Sequence, residues 1–457
     1  MPTRVRAFVR SLGLDAYVVG GAVRDELLGI PHVDEDFLVL GVDHDGLREA
    51  LAPHGRVEEL VVHGQRVGIR LHPRERELRR LVPAGIELTP PRVERSTGPG
   101  HKDFAIVADA AVGLAEDLGR RDFTINAMAR SLATGALVDP FGGLTDLARR
   151  ELRTVSETSF EDDPLRILRG LRLVSQLGFT ITGAALAQMR RAAPGLAHVS
   201  PERIGGGLAA DGNGELSKLL LGRAPATALR LARETGVLRL LIPEFGPAIG
   251  HELGSDRQPV SLDEHLIEVV EGVSEAGGGI QLLLAALLHD LGKPHTGKRG
   301  GHAALGSQIA ASVLSRLRYP VAVQRRVERL VAAHAFHLDP WLEPVDGGRA
   351  TRRFLRDHGA APASELVVLK AADLAAKRVP PTELAALARL RRELDEQASA
   401  SHRLADLAVT GEDLKTIGFE EGPVLGEVLR GLLDRVVDDP SLNDRATLLR
   451  LAQGTGA

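Results

Sequence analysis

At 457 residues the chain is longer than one hydrophobic core usually organises, so roughly two to four domains are expected. Its longest apolar run, Leu282 to Leu288, falls far short of the ~20 residues of a membrane span, and "MPTRVRAFVRSLGLDAYVV" lacks the unbroken apolar core of a secretory leader, so a cytoplasmic protein without membrane contact is expected. Zero cysteines exclude disulfides and thiolate zinc sites, while a net charge of −4 and 3% aromatic residues argue against a general polyanion binder with a stacking platform.

From about residue 15 to 150, strand-like pieces ("AYVVGG", "EDFLVLG", "RVGIRL", "GIELTP", "DFAIVADA", "GALVDP") alternate with short helical ones, which reads as α/β or α+β. Early in this region "VVGGAVRD" (Val18–Asp25) is followed by "VDEDFLV" (Val33–Val39). If the second stretch is a strand, alternation puts Asp34 and Asp36 on one face and turns Glu35 away. Two carboxylates so placed form a platform for Mg²⁺, as two-metal phosphoryl chemistry requires, and Glu87 in "GIELTP" is the candidate third carboxylate from a neighbouring strand. Gly20 and Gly21 lack a Cβ, so their backbone can approach a triphosphate, and Arg24 adds positive charge. An Asp-x-Asp by itself is common in solvated loops; only its surroundings raise it above that reading.

Beyond about residue 160 strands almost vanish. "DPLRILRGLRLVSQLG", "PATALRLARETGVLRLLIP", "SLDEHLIEVVEGV", "GSQIAASVLSRL" and "AVQRRVERLVAAHAF" all carry apolar residues at helical spacing. Breaks fall at "APGLAHVSPER", "GPAIGHELGSDRQPVS" and "VPPTE", the second being the strongest domain boundary. Basic clusters such as Arg74–Arg80 and Arg325–Arg329 read first as solvated helix faces.

Four motifs in order, "GGAVRD", "DEDFLV", "RRDFTINAMA" (Arg120–Ala129) and "EDDPLRILRGLR" (Glu161–Arg172), resemble the tRNA nucleotidyltransferase and poly(A) polymerase family over about residues 16–180. The resemblance implies an α+β fold: a polymerase-β-like nucleotidyltransferase head followed by helical neck and body. It also implies that Gly21 and Arg24 contact the incoming nucleotide, that Asp34 and Asp36 hold Mg²⁺, and that Arg121, Arg169 and Arg172 face the nucleotide. Asp163 and Arg166 match the motif that reads the base, with Asp162 where the family usually has glutamate. Chemistry supports that match, because C and A each pair an exocyclic amine donor with a ring-nitrogen acceptor, complementary to a carboxylate and a guanidinium, whereas U and G do not. Pro164 suits a first helical turn, after which Arg166, Arg169 and Arg172 recur every third residue. Asp122, Asn126 and Asp139 read as structural, Asp139 capping a turn before Gly142 and Gly143.

Further on, "LLLAALLHDLGKPHTG" ends an apolar helix on His289 and Asp290, with His265 upstream and His302, His334 and Asp373 downstream. Such ligands from several helices can converge on one or two divalent ions. The order resembles the HD phosphohydrolase superfamily, His265, His289, Asp290 and Asp373 matching its core pattern and His302 and His334 the extra ligands of binuclear members. Some bacterial CCA-adding enzymes have a similar layout.

The expectation is therefore addition of C, C and A to the 3′ end of tRNA from CTP and ATP with Mg²⁺, plus a second divalent metal and phosphohydrolase activity in the HD region. Poly(A) polymerase, a CC-only or A-only enzyme, and an HD phosphohydrolase with a nucleotide-binding head are the alternatives. The expected divisions are a head over 1–148, a neck and body over 149–250, an HD domain over 255–400 and a helical tail over 401–457.

Overall fold

The computed structural model describes residues 2–32, 35–62, 64–96, 104–206, 213–252, 257, 260–296, 300–343 and 348–455. It divides into two compact units, Met1–Pro243 and Glu244–Ala457, just ahead of the Gly/Pro-rich stretch that begins at Gly246.

The first unit is built on a mixed sheet. Its strands include β1 (Ala16–Val19), β2 (Asp36–Val39), β3 (Gly55–Val62), β4 (Gln65–Pro73) and β5 (Ile86–Thr89), while β6 (Arg92–Ser96) and β7 (Phe104–Ala108) form a separate ribbon. With β8 (Ala129–Ser131) and β9 (Leu137–Val138), the main sheet runs β3-β4-β5-β2-β1-β8-β9, and β2 and β5 are its parallel pair. Phe37, Leu38 and Val39 are all fully buried, as expected of a central strand covered on both faces. Val19 and Leu38 pack with Leu118, Ala127 and Ala129, so the residues that precede and follow the polar motifs are the ones anchored in the core.

Helix α1 (Gly21–Leu28) leaves β1 through Gly20, whose φ of 76° favours glycine, and stops at left-handed Gly29. The expected strand over 33–39 is shorter: β2 begins at Asp36, and Val33 and Asp34 lie outside the described residues. Helix α2 (Leu165–Leu177) buries Leu165, Ile167, Leu168, Leu171 and Val174 and ends at left-handed Gly178. A Cβ on Gly170 would stand 2.7 Å from Phe123 Cζ, so this glycine lets α2 pack directly on the head segment that carries Arg121 and Asp122.

The second unit has helices and no strand among its described residues. Helices α3 (Leu262–Glu275), α4 (Ile280–Leu288), α5 (His302–Arg316), α6 (Val321–Ala333) and α7 (Ala360–Ala375) pack against one another. The α4 run Leu282–Leu288 is entirely buried, so it is the central helix and not a membrane segment. No helix among the described residues is long and apolar enough to cross a membrane.

Candidate functional sites

In the head, sheet register assembles the first candidate site. Glu58, Arg70, Glu87, Asp36 and Val19 are successive partners across β3, β4, β5, β2 and β1, which sets their side chains along one face. Glu87 thus stands beside Asp36 although 51 positions separate them in sequence. Asp34, the other expected carboxylate, lies outside the described residues. Asp36 is exposed, whereas Glu35 has 4% of its side chain exposed and accepts from Arg6 Nη2 at 2.6 Å and His32 Nε2 at 3.1 Å. One of the two neighbours is thus locked into the fold and the other faces water, as alternation requires. Arg70 donates to one Glu87 oxygen, Oε1, from Nη2 at 2.5 Å and Nε at 3.2 Å.

Gly20 opens the turn between β1 and α1. A Cβ there would meet Arg121 Nη1 at 2.7 Å, so the missing side chain admits that guanidinium. Burial pushes the Arg121 guanidinium below its ordinary value, with Asp117 and Asp36 acting the other way. Arg24 donates to Asp25 Oδ1 at 2.8 Å and Asn126 Oδ1 at 2.7 Å. Asn126 Nδ2 in turn donates to Asp122 Oδ1 at 2.9 Å, and Arg169 Nε donates to Asp122 Oδ2 at 2.8 Å. A continuous chain of charge-assisted bonds therefore runs from α1 through the 122–126 turn to α2. Burial tends to raise the Asp122 carboxyl, but Arg169 and Asn126 outweigh it and hold it at about 2.

The arginines at every third position do not share one partner. Arg172 Nη1 donates to Glu215 Oε1 at 3.2 Å; Arg166 donates to the Arg120 carbonyl at 2.6 Å and to Ser159 O and Oγ, each at 3.2 Å. Asp163 Oδ1 accepts the Leu165 N–H at 3.0 Å, so Asp163 and Arg166 are each fixed by backbone groups and are not bonded to each other through their side chains. Asp139 accepts from Gly143 N at 2.7 Å and Leu144 N at 2.9 Å, which is the turn cap read from sequence.

The second unit brings six expected residues together. His265 rides on α3, His289 ends α4, Asp290 follows it, His302 opens α5, His334 ends α6 and Asp373 lies on α7. His265 Nε2 is 3.2 Å from Asp373 Oδ1, and His289 Nε2 is 3.2 Å from Asp290 Oδ2. His334 and His302 reach Asp290 Oδ1 at 3.3 and 3.6 Å. These ligand atoms form two overlapping groups that share Asp290 and could hold metal ions. His265, His289 and Asp290 are at most 1% exposed. No hydrogen bond of good geometry satisfies either Asp290 oxygen, either His265 nitrogen or His289 Nε2; ion-pair contacts surround them instead, Lys293 on Asp290 Oδ2 among them, and a cation bound there would satisfy these buried atoms. His289 Nδ1 faces Ala286 O at 2.9 Å and His334 Nδ1 faces Val331 O at 2.6 Å, which makes Nδ1 the donor to the backbone and aims each Nε2 at the centre. The donor set therefore fits divalent cations. Burial depresses the His289 imidazole, but Asp290 and Asp373 overcome it and push it up to about 9. Burial works to raise Asp290, yet His289 and His334 hold it well below the usual carboxylate range.

Several residues escaped the sequence reading. Asp117, fully buried, holds Arg120 at 2.7 Å and lies 3.7 Å from Arg121; its i, i+3 and i, i+4 spacing was visible. Arg70 and Glu215 had no such signal, because their partners are distant in sequence. Gly292 is also missed: a Cβ there would meet His302 O at 2.2 Å, so this glycine brings the start of α5 to the His–Asp pair.

Three family models match the chain: the poly A polymerase head domain over 16–153, the probable RNA and SrmB-binding site of polymerase A over 178–249, and the HD domain over 262–376. The multifunctional CCA protein of Azoarcus sp. (strain BH72) is 37% identical over 314 residues, covering 67% of this chain and 70% of that protein. That of Nitrosococcus oceani is 35% identical over 329 residues (70% and 74%), and that of Xylella fastidiosa (strain M23) 37% over 292 residues (62% and 64%). Among solved structures, the Bacillus stearothermophilus CCA-adding enzyme in complex with CTP aligns with a TM-score of 0.69 at 25% identity, covering 98% of this chain and 95% of that one. The Thermotoga maritima CCA-adding enzyme complexed with tRNA shares the fold, with a TM-score of 0.61 at 22% identity and coverage of 98% and 93%.

Proposed function

The chain belongs to the tRNA nucleotidyltransferase and poly(A) polymerase family, among the multifunctional CCA proteins, and from that premise we propose that it adds C, C and A in turn to the 3′ end of tRNA. In each round the terminal 3′-oxygen bonds to the α-phosphorus of CTP or ATP. The bond from that phosphorus to its bridging oxygen breaks, pyrophosphate leaves, and the hydroxyl proton passes to solvent. The observation that carries this reading is the register that sets Asp36 beside Glu87 and beside Val19, the residue before the Gly20–Gly21 turn. Asp34, Asp36 and Glu87 are the proposed ligands of divalent metal, with Mg²⁺ as the ion. Bound there, it supplies charge neutralisation for the triphosphate and the departing pyrophosphate.

The remaining residues bind and orient. Gly21 offers backbone without a Cβ, and Arg24, Arg121, Arg169 and Arg172 supply positive charge to the nucleotide. Asp163 and Arg166 read the base edge; they need to lie side by side, not bonded to each other, and the Arg120 and Ser159 contacts preset the direction of the Arg166 donors. In this reading the head spans 1–148, the neck and body 149–250, the HD domain 255–400 and the tail 401–457, and the chemistry takes place in the cytoplasm.

The HD centre, in the same proposal, holds one or two divalent ions through His265, His289, Asp290, Asp373, His302 and His334 and hydrolyses phosphate esters. Its carrying observation is the convergence of buried ligand atoms from His265, His289, Asp290 and Asp373, all within 4.8 Å of one another, with His302 and His334 sharing Asp290. Such ions supply Lewis acidity and an activated water.

A tRNA transcript ending before CCA, supplied with Mg²⁺, CTP and ATP, tests the transferase. Growth by three nucleotides is expected, and no incorporation would remove the reading. Open-ended addition of A without use of CTP identifies a poly(A) polymerase, and arrest after CC, or a requirement for tRNA already ending in CC, identifies a partial enzyme.

A further inference from the structure

A cavity of about 640 Å³ opens beside the HD centre, and Asp290, His302, His334 and Asp373 belong to its wall. Three lysines line the same space, Lys293, Lys370 and Lys377. Two of them are committed, Lys293 to Asp290 and Lys377 to Asp373. Lys370 differs: among the described residues its Nζ pairs with no carboxylate and instead sits 5.1 Å from the centroid of the Phe336 ring. Phe336 is itself packed against Phe354 at 5.0 Å and Trp341 at 6.4 Å, so the ammonium rests on a rigid aromatic wall. Lys370 precedes Asp373 by three residues on α7, which puts both on the face that borders the cavity. Burial lowers the Lys370 pKa while Asp373 opposes it, the condition of an ammonium withdrawn from water without an anion of its own.

We propose that Lys370 is the phosphate-binding and specificity residue of this centre, donating from Nζ to a non-bridging oxygen of a phosphate group seated against the His–Asp cluster. The inference rests on the reading of the HD centre as a phosphate-ester hydrolase and names the residue that selects anionic substrates there. Lys293 and Lys377 neutralise the ligand carboxylates and Arg257, also in the wall, pairs with Glu383, which leaves Lys370 among the described residues to meet the substrate. Its role is binding, so its loss acts on KM more than on kcat.

The experiment compares full-length wild type with Lys370→Met, which keeps the stem over Phe336, and Lys370→Arg, which keeps the charge. Each protein is loaded with Mn²⁺, and calorimetry measures Mn²⁺ binding and then binding of inorganic phosphate. Lys370→Met is expected to bind Mn²⁺ and melt as the wild type does, to bind phosphate about tenfold or more weakly, and to raise KM for p-nitrophenyl phosphate by a similar factor, with Lys370→Arg restoring most of the loss. Phosphate affinity and KM unchanged in Lys370→Met overturn the inference while leaving hydrolysis standing. A fall in Mn²⁺ affinity matching the fall in phosphate affinity also overturns it, since the lysine would then be supporting the ligands. A wild type that binds phosphate through Lys370 but cleaves no ester overturns the hydrolase reading alone.

Discussion

Gly20 shows how much a single position can carry. Its φ of 76° and the 2.7 Å approach of Arg121 to its absent Cβ leave no room for a side chain. Gly20→Ala is expected to cost roughly 1–3 kcal/mol of stability through the backbone alone and to raise KM for CTP by displacing Arg121, read by thermal melting and steady-state kinetics. Asp36 and Glu87 are of another kind, since their replacement removes charge and not shape. Asp36→Ala or Glu87→Ala should leave the melting temperature within a few degrees of wild type and lower nucleotide addition by about a hundredfold or more, because several kcal/mol of charge stabilisation in the transition state is lost. At this scale the sequence showed which residue types were present and which neighbours alternate, as with Glu35 and Asp36. It could not show that Arg70 grips Glu87, because that contact depends on strand pairing between residues that no local pattern relates.

Between elements, the bond from Asp122 to Arg169 joins the 122–126 turn to α2. Asp122 is almost fully buried, and its carboxyl is held at about 2 against an ordinary 3.8, with burial opposing and Arg169 prevailing. A lowered folded-state pKa contributes stability above the unfolded value and loses it as pH falls toward the folded one, so this contribution is complete at neutral pH and disappears between about pH 4 and 2. The shift corresponds to roughly 2 kcal/mol. Asp122→Asn should therefore lower the melting temperature at pH 7 by several degrees, with the gap to wild type closing as the pH is taken to 2. In the second unit, Gly292→Ala should force the start of α5 away from His289, because a Cβ would lie 2.2 Å from His302 O. Weaker Mn²⁺ binding by calorimetry, at a folding cost of about 1–3 kcal/mol, is the expected result. The helices were legible from apolar spacing, α2 most clearly. The start of β2 was not, since a strand's first residue is set by its partners: Asp36 pairs with both Val19 and Glu87.

For the whole molecule, the two candidate centres lie in separate compact units and draw on no common residue. Their activities should therefore separate by mutation. His289→Ala is expected to abolish phosphate-ester hydrolysis and leave CCA addition to tRNA near wild type, and Asp36→Ala to do the reverse; loss of both activities from either change would contradict the assignment. The sequence alone determined the inventory: a chain without thiols, two carboxylate-bearing motifs of different chemistry, a strand-rich front and a helical remainder. Those features are local, set by composition, by alternation along a strand and by the 3.6-residue period of a helix. Only the tertiary structure decided which groups meet: Glu87 beside Asp36, Arg169 on Asp122, six candidate ligands from five helical segments, and Lys370 facing their cavity with no carboxylate paired to it among the described residues. Such contacts arise from packing between residues far apart in the chain, where burial removes water and makes each unpaired donor or acceptor costly, and that energy is not written in any single stretch of sequence.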